Sequence, residues 1–236
     1  MSVATQTEAV PEPRIPLSKD RVLRAAVRIA DEEGIGSLTM RHLAEELDAE
    51  AMSLYYHVAN KEAILDGVVD TVIEEIEEAA GGYDVPAGVD DWQTAVRERI
   101  LLARSVMLRH PWAPGVIETR TSQSLAAVRY YEGLVGLLRE GGFSYDLVHH
   151  AIHALGSRAL GFSQELFEPD DHEQGDEDAA AMLVAMADQF PYIIGMLGEV
   201  AHDDPESTLG WCDDQVEFEF GLNLILTGLE RYLATS

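Results

Sequence analysis

The sequence predicts an all-α fold in which a small three-helix head with a helix-turn-helix precedes a larger helical bundle. Three observations predict it. Apolar residues recur at three- and four-residue spacing in one segment after another. The period-two alternation of a half-buried strand is missing. Capping residues and glycines or prolines stand where helices would have to begin and end.

Residues 1–17 carry three prolines and no apolar stripe before Leu17, so they read as a disordered arm rather than a secretory signal. Ser18 can cap a first helix after Pro16, with Val22, Ala26, Ile29 and Ala30 on one face and Gly34 as its stop. Thr39 caps a second, whose inward face is Met40, Leu43, Ala44 and Leu47. Asp48, Ala49 and Glu50 then form a short turn before a very short third helix from about Ala51 to His57. Asn60 caps a longer fourth helix bearing Ile64, Leu65, Val68, Val72, Ile73 and Ile76, which Gly81 and Gly82 end.

After a loop at 83–90, Trp92, Val96, Ile100, Ala103 and Met107 mark a fifth helix that stops before Pro111. A short, proline-interrupted piece covers Trp112 to Glu118. Leu125, Val128, Tyr131, Val135 and Leu138 define the next helix, closed by Gly141 and Gly142, and Ser144 starts another that continues to about Phe167. Residues 168–178 hold seven acids in eleven positions, a solvated loop whose spacing is not that of a calcium site. Helical character resumes at Ala179 and, after a break at Asp203 to Pro205, ends with Val216 to Leu233. On that last helix Gly221 and Gly228 permit close helix approach, either at a subunit interface or in ordinary packing. The expected domains are the arm at 1–17, the head at 18–65 and the bundle at 66–236.

Composition bounds the function. A single cysteine, Cys212, excludes an intrachain disulfide, and no apolar run is long enough to span a bilayer, so a reducing, cytoplasmic setting without a membrane is expected. A net charge of −27 argues against nonspecific affinity for phosphate backbones. The distribution qualifies this: from Arg14 to Leu47 six bases face six acids, whereas beyond residue 66 there are 9 bases and 31 acids. A neutral head can touch a polyanion while the acidic body suppresses weak, unspecific attachment.

Two capped helices joined by a three-residue turn make a helix-turn-helix, whose short second helix is of a size to enter a major groove about 12 Å wide. Ser53, Tyr55, Tyr56 and His57 place hydroxyls and an imidazole there, with Leu54 and Val58 inward and Lys61 adding a cation at the next helix start. The alternative is that the tyrosines pack against the long helices.

The stretch SLTMRHLAEELDAEAMSLYYHVANKEAILDGV from Ser37 to Val68 resembles the DNA-binding head of the TetR family. Asp91 to Gln93, Gly141 to Ser144, Ala154 to Gly156 and especially FEFGLNLILTGLERYL at Phe218 to Leu233 are similar to the tetracycline-repressor branch. The resemblance implies a homodimeric transcriptional repressor, not an enzyme, that binds palindromic double-stranded operator DNA and leaves it when a small-molecule effector binds. It places Thr39 near a phosphate, Arg41 on a guanine edge, Ala51, Met52, Ser53, Tyr55, Tyr56 and His57 on the recognition helix, and Lys61 on a phosphate. Asp48 stands at the family's usual turn glycine, a position that tolerates aspartate because it enters the left-handed region more readily than most residues.

The effector region departs from that branch. Val116 stands at the magnesium-binding histidine, Ser157 and Glu77 at two further histidines, Arg99 at an amide and Ala103 at a phenylalanine, while Thr119 and Glu165 keep the family's type. No metal or cofactor is therefore expected, and magnesium–tetracycline is not the expected ligand. Met107, Trp112, Tyr131 and Phe162 are candidate apolar walls, and Arg99 and Arg120 either favour an anionic ligand or face solvent. His149 and His153 lie one turn apart, a zinc-compatible spacing, but two ligands do not complete a site, and His153 is read as lining the pocket or interface. A helical metal hydrolase lacks any complete ligand set or nucleophile motif here. A ligand-sequestering relative without DNA binding is opposed by the preserved head residues.

Overall fold

The computed structural model describes residues 16–82, 91–120, 124–160 and 214–235, with isolated positions at Gln189, Pro191, Tyr192 and Gly195. Among the described residues every regular element is a helix: α1 Lys19–Glu33, a 3-10 turn Ile35–Ser37, α2 Met40–Glu46, α3 Ala51–Leu54, α4 Lys61–Ala79, α5 Trp92–Arg109, α6 Ala113–Thr119, α7 Leu125–Glu140, α8 Tyr145–Leu160 and α9 Asp214–Leu233. None is long and apolar enough to cross a membrane. The expected continuation of the eighth helix to Phe167, the acidic run at 168–178, the helical stretch from Ala179, the break at 203–205 and Cys212 lie outside the described residues.

The described chain packs as two compact units, one of residues up to Gly81 together with Ser105–Val128, the other of Gly82–Arg104 together with Arg129 onward. In the first unit the helix starts follow the expected caps. Ser18 Oγ accepts the Arg21 amide at 3.2 Å, Thr39 Oγ1 the His42 amide at 3.1 Å and Asn60 Oδ1 the Ala63 amide at 2.9 Å, each satisfying a donor that a first helical turn leaves without a partner. α1 ends where the Gly34 amide returns to Ala30 O. Its buried side, including Val22, Ala26 and Ile29, packs on α4, whose own inward stripe is Ile64, Val68, Val72, Ile73 and Ile76. Asp48 sits at φ 48°, the left-handed turn expected between α2 and α3.

Two local readings change. The third helix is one turn long, not seven residues. Beyond Leu54 the chain continues in hydrogen-bonded turns, with the His57 and Val58 amides both reaching Leu54 O at 2.9 Å, because Leu54 and Val58 must both enter the core before Asn60 starts α4. Pro114 does not interrupt its segment. It lies in the first turn of α6, where a missing N–H costs nothing.

In the second unit a core forms from Trp92, Val96 and Ile100 of α5, Leu134, Leu137 and Leu138 of α7, Phe143 between helices, Leu147, Val148, Ala151 and Leu155 of α8, and Phe218, Leu222, Leu226 and Leu229 of α9. Trp92 and Phe143 meet edge to face at 4.6 Å. The expected stripe on α7 is corrected in part: Leu138 is buried and half-buried Val135 packs against the core as expected, but Leu125 and Val128 are exposed and Tyr131 is half-buried, while Ala126, Gly133, Leu134 and Leu137 are turned inward. Both sets of positions fit one face of a helix. Periodicity alone does not choose between two such rows on one helix; the packing partner does.

Candidate nucleic-acid interface

The core residues Leu43, Ala44, Leu47, Leu54 and Val58 leave the outer side of α2 and α3 to polar and aromatic groups. Met52 is 70% exposed and Tyr56 89%, and Tyr55 is also exposed, so the tyrosines do not pack against the long helices. Ala51, Ser53 and His57 are half-buried. The Ser53 hydroxyl donates to Glu50 O at 2.6 Å and steadies the turn into α3. Thr39 is exposed while it caps α2, and Lys61 stands exposed in the first turn of α4.

Arg41 projects from α2 and donates through Nε to Glu45 Oε1 at 2.9 Å. That hydrogen bond and the carboxylate charge raise the guanidinium pKa, so the cation is permanent. The chemistry offered is that of a duplex reader: a planar fork for a base edge, phenols and a thioether for base edges and methyl groups, and a lysine and a helix start for phosphates.

The residues expected around an effector fall in both units. In the first, Glu77 is 1% exposed, and Met107, Trp112 and Val116 are also buried. Trp112 is more than an apolar wall, since its indole N–H donates to Asp31 Oδ1 at 2.7 Å. The Thr119 hydroxyl donates to Val116 O at 2.7 Å, within its own helix. Arg120 is half-buried and its charge is compensated: Nη1 donates to Glu62 at 2.8 Å and to Asp66 at 3.3 Å, and both raise its pKa.

In the second unit Ala103 is buried, Tyr131 half-buried and His153 exposed. Arg99 is buried and lies over the Tyr130 ring at 5.3 Å, against Gly133, where a Cβ would come 2.7 Å from Nη2. That fit of arginine to glycine has no sequence signal, because it joins different helices. Ser157 lies on α8 in a stretch where only the backbone is described, and Phe162 and Glu165 lie outside the described residues. His149 and His153 stack edge to face at 4.7 Å on the exposed side of α8, and among the described residues no group of three or more His, Cys, Asp or Glu side chains is arranged to hold a metal ion. His110 is instead buried between carboxylates, Asp31 at 2.7 Å and Glu75 at 3.0 Å, a cluster that sequence spacing did not disclose.

A capped helix, a tight left-handed turn and a short outward polar helix, on a scaffold whose described elements are all helices, define the class of helix-turn-helix DNA-binding regulators. Residues 22–68 match the family described as bacterial regulatory proteins, tetR family, and residues 85–233 match the tetracyclin repressor-like C-terminal domain. The chain belongs to the TetR family of bacterial transcriptional regulators. It is similar to the HTH-type transcriptional repressor DrrR1 of Streptomyces coeruleorubidus, at 31% identity over 94% of this chain and 80% of that one. The tetracycline repressor protein class D of Escherichia coli is 28% identical over 92% of this chain and 91% of its own. Among solved structures, apo ActR from Streptomyces coelicolor superposes with a TM-score of 0.71 at 27% identity, covering 94% of this chain and 98% of that one.

Proposed function

We propose that this regulator is a cytoplasmic repressor that binds a palindromic operator as a homodimer and is released by a small-molecule effector. The observation that carries the DNA contact is the outward display of Met52 on α3 and of Tyr55 and Tyr56 in the turns that follow it, anchored from within by Leu54 and Val58. Thr39, Arg41, Ala51, Ser53, His57 and Lys61 complete the proposed contact set, with Arg41 exchanging Glu45 for a base edge. The proposed division is a DNA-binding domain at 18–65 and a ligand-binding and dimerisation domain at 66–236.

Dimerisation is supported by apolar surface that a single chain leaves in water. Val216, Phe220 and Leu224 recur every four residues along α9 and are 58%, 60% and 60% exposed, and α9 packs beside α8. Two such helices from each copy make a four-helix contact.

For the effector, ActR has been solved with actinorhodin, and a bulky organic molecule suits this chain better than a metal chelate. Val116 has no lone pair for magnesium. The candidate contact residues are Glu77, Met107, Trp112, Val116 and Thr119 in the first unit and, taken separately, Arg99, Ala103, Tyr131, His153 and Ser157 in the second, with Phe162 and Glu165 outside the described residues. Ligand and DNA compete only through the ligand's differential affinity for two states of the dimer.

A mobility shift on the duplex flanking the protein's own gene tests the reading. A retarded band at low salt that candidate organic ligands abolish is the expected result. No retardation of any flanking fragment favours a ligand-sequestering role.

A further inference from the structure

Asp31 lies in the last turn of α1, Glu75 on α4 and His110 in the bend between α5 and α6, all within the first unit. The imidazole is 8% exposed and its backbone is pinned, the His110 amide donating to Met107 O at 3.0 Å and the Ala113 amide to His110 O at 2.8 Å, with Pro111 between. Nδ1 sits 2.7 Å from Asp31 Oδ1 and Nε2 sits 3.0 Å from Glu75 Oε2. Each carboxylate has a further donor, Trp112 Nε1 at 2.7 Å for Asp31 and Arg109 for Glu75.

An ionised carboxylate only accepts, and a neutral imidazole has one N–H. Both contacts are therefore hydrogen bonds only while the ring carries two protons. A neutral ring would turn a lone pair toward one carboxylate and leave Asp31, Glu75 and Arg109 with one uncompensated negative charge in a partly buried place. With the ring protonated, the four charges balance. Glu75 is a poor seat for that proton: burial raises its pKa, but donation from Arg109 and His110 outweighs this and holds the carboxyl below its ordinary value.

We propose that His110 is a proton-operated clasp between α1 and α4. With two ring protons it ties the end of the first head helix to the long helix behind it, and with one it lets go of one partner. α1 also packs against α2, so its hold on α4 governs where the reading helices are presented. Both hydrogen bonds exist only in the doubly protonated ring, so loss of one ring proton opens the clasp on one side. The charged groups facing the ring are Asp31 from α1 and Glu75 from α4, with Arg109 beside it from α5; the Trp112 ring lies 5.9 Å away. The consequence at the operator rests on the DNA-binding reading above; the clasp itself does not.

The full chain is compared as wild type, His110→Gln and His42→Gln, the last because His42 also faces a carboxylate, Glu33 at 3.3 Å. Thermal melts and binding of a labelled duplex from the DNA flanking its own gene are followed from about pH 6 to about pH 8.5, the range across which histidines titrate. The wild type and His42→Gln are expected to lose stability with rising pH, and duplex affinity to fall on the order of tenfold, while His110→Gln shows neither slope. Nitrogen NMR of the wild-type ring, which needs no variant to fold, is expected to show an imidazolium near pH 6. A neutral His110 ring there, or a His110→Gln profile parallel to the wild type, overturns the clasp. A melting slope that follows His110 without duplex binding at any pH supports the clasp and removes the operator reading instead.

Discussion

Arg41 is 89% exposed and held by Glu45, so its reach toward DNA begins with the exchange of one hydrogen bond for another. An exposed pair of this kind contributes little to stability, which makes the exchange cheap. Arg41→Ala is expected to weaken operator binding by roughly 1–3 kcal/mol, with a smaller loss on random duplex, in fluorescence anisotropy at fixed salt. Equal losses on both duplexes would reassign the side chain to the phosphate backbone. Glu75 gives a prediction of opposite sense. Burial raises its pKa, but hydrogen bonds from Arg109 and His110 lower it more, so the folded carboxyl titrates below its ordinary value of 4.5. Its contribution is then complete above about pH 4.5 and disappears as pH falls through the folded value. Acid unfolding followed by circular dichroism should be shallower below that pH in Glu75→Gln than in the wild type.

At the scale of the element, Ser18, Thr39 and Asn60 start helices as their residue types require. Asn60→Ala should cost about 1 kcal/mol in urea unfolding, because the Ala63 amide loses its acceptor. Such ends were legible because a cap and its helix are neighbours in the chain. The inward face of α7 was legible only in part, since Leu125, Val128 and Tyr131 fit one face of a helix as well as Ala126, Gly133 and Leu137 do. Steric fits between helices were equally hidden. A Cβ on Gly141 would come 2.6 Å from Trp92 Cβ and 2.7 Å from Cγ, and Trp92 cannot turn away because it is wedged against Phe143. Gly141→Ala should therefore destabilise the fold by roughly 1–3 kcal/mol, read as a lower urea midpoint at unchanged slope.

At the scale of the whole molecule, the charge pattern and the apolar stripe on α9 act together. The acidic balance of −27 is expected to keep the proposed ligand-binding domain from a polyanion, while exposed Val216, Phe220 and Leu224 are the surface proposed to meet a second copy. Phe220→Asp combined with Leu224→Asp should yield a monomer in sedimentation and abolish the operator shift, because one head holds half a palindrome. A dimer that persists with both aspartates in place would move the interface elsewhere.

The order of amino acids determined by itself the helix starts, the left-handed turn at Asp48, the inward anchors Leu54 and Val58 and the outward aromatic face of the head. Each depends on residues within about one or two helical turns, where spacing translates directly into geometry. Only the tertiary structure decided that His110 meets Asp31 and Glu75, which stand 79 and 35 positions away, that Arg120 is matched by Glu62 and Asp66, and that Arg99 lies against Gly133. Such meetings are set by which helix faces pack together, and a cation's chemistry depends on the groups brought to it across that packing.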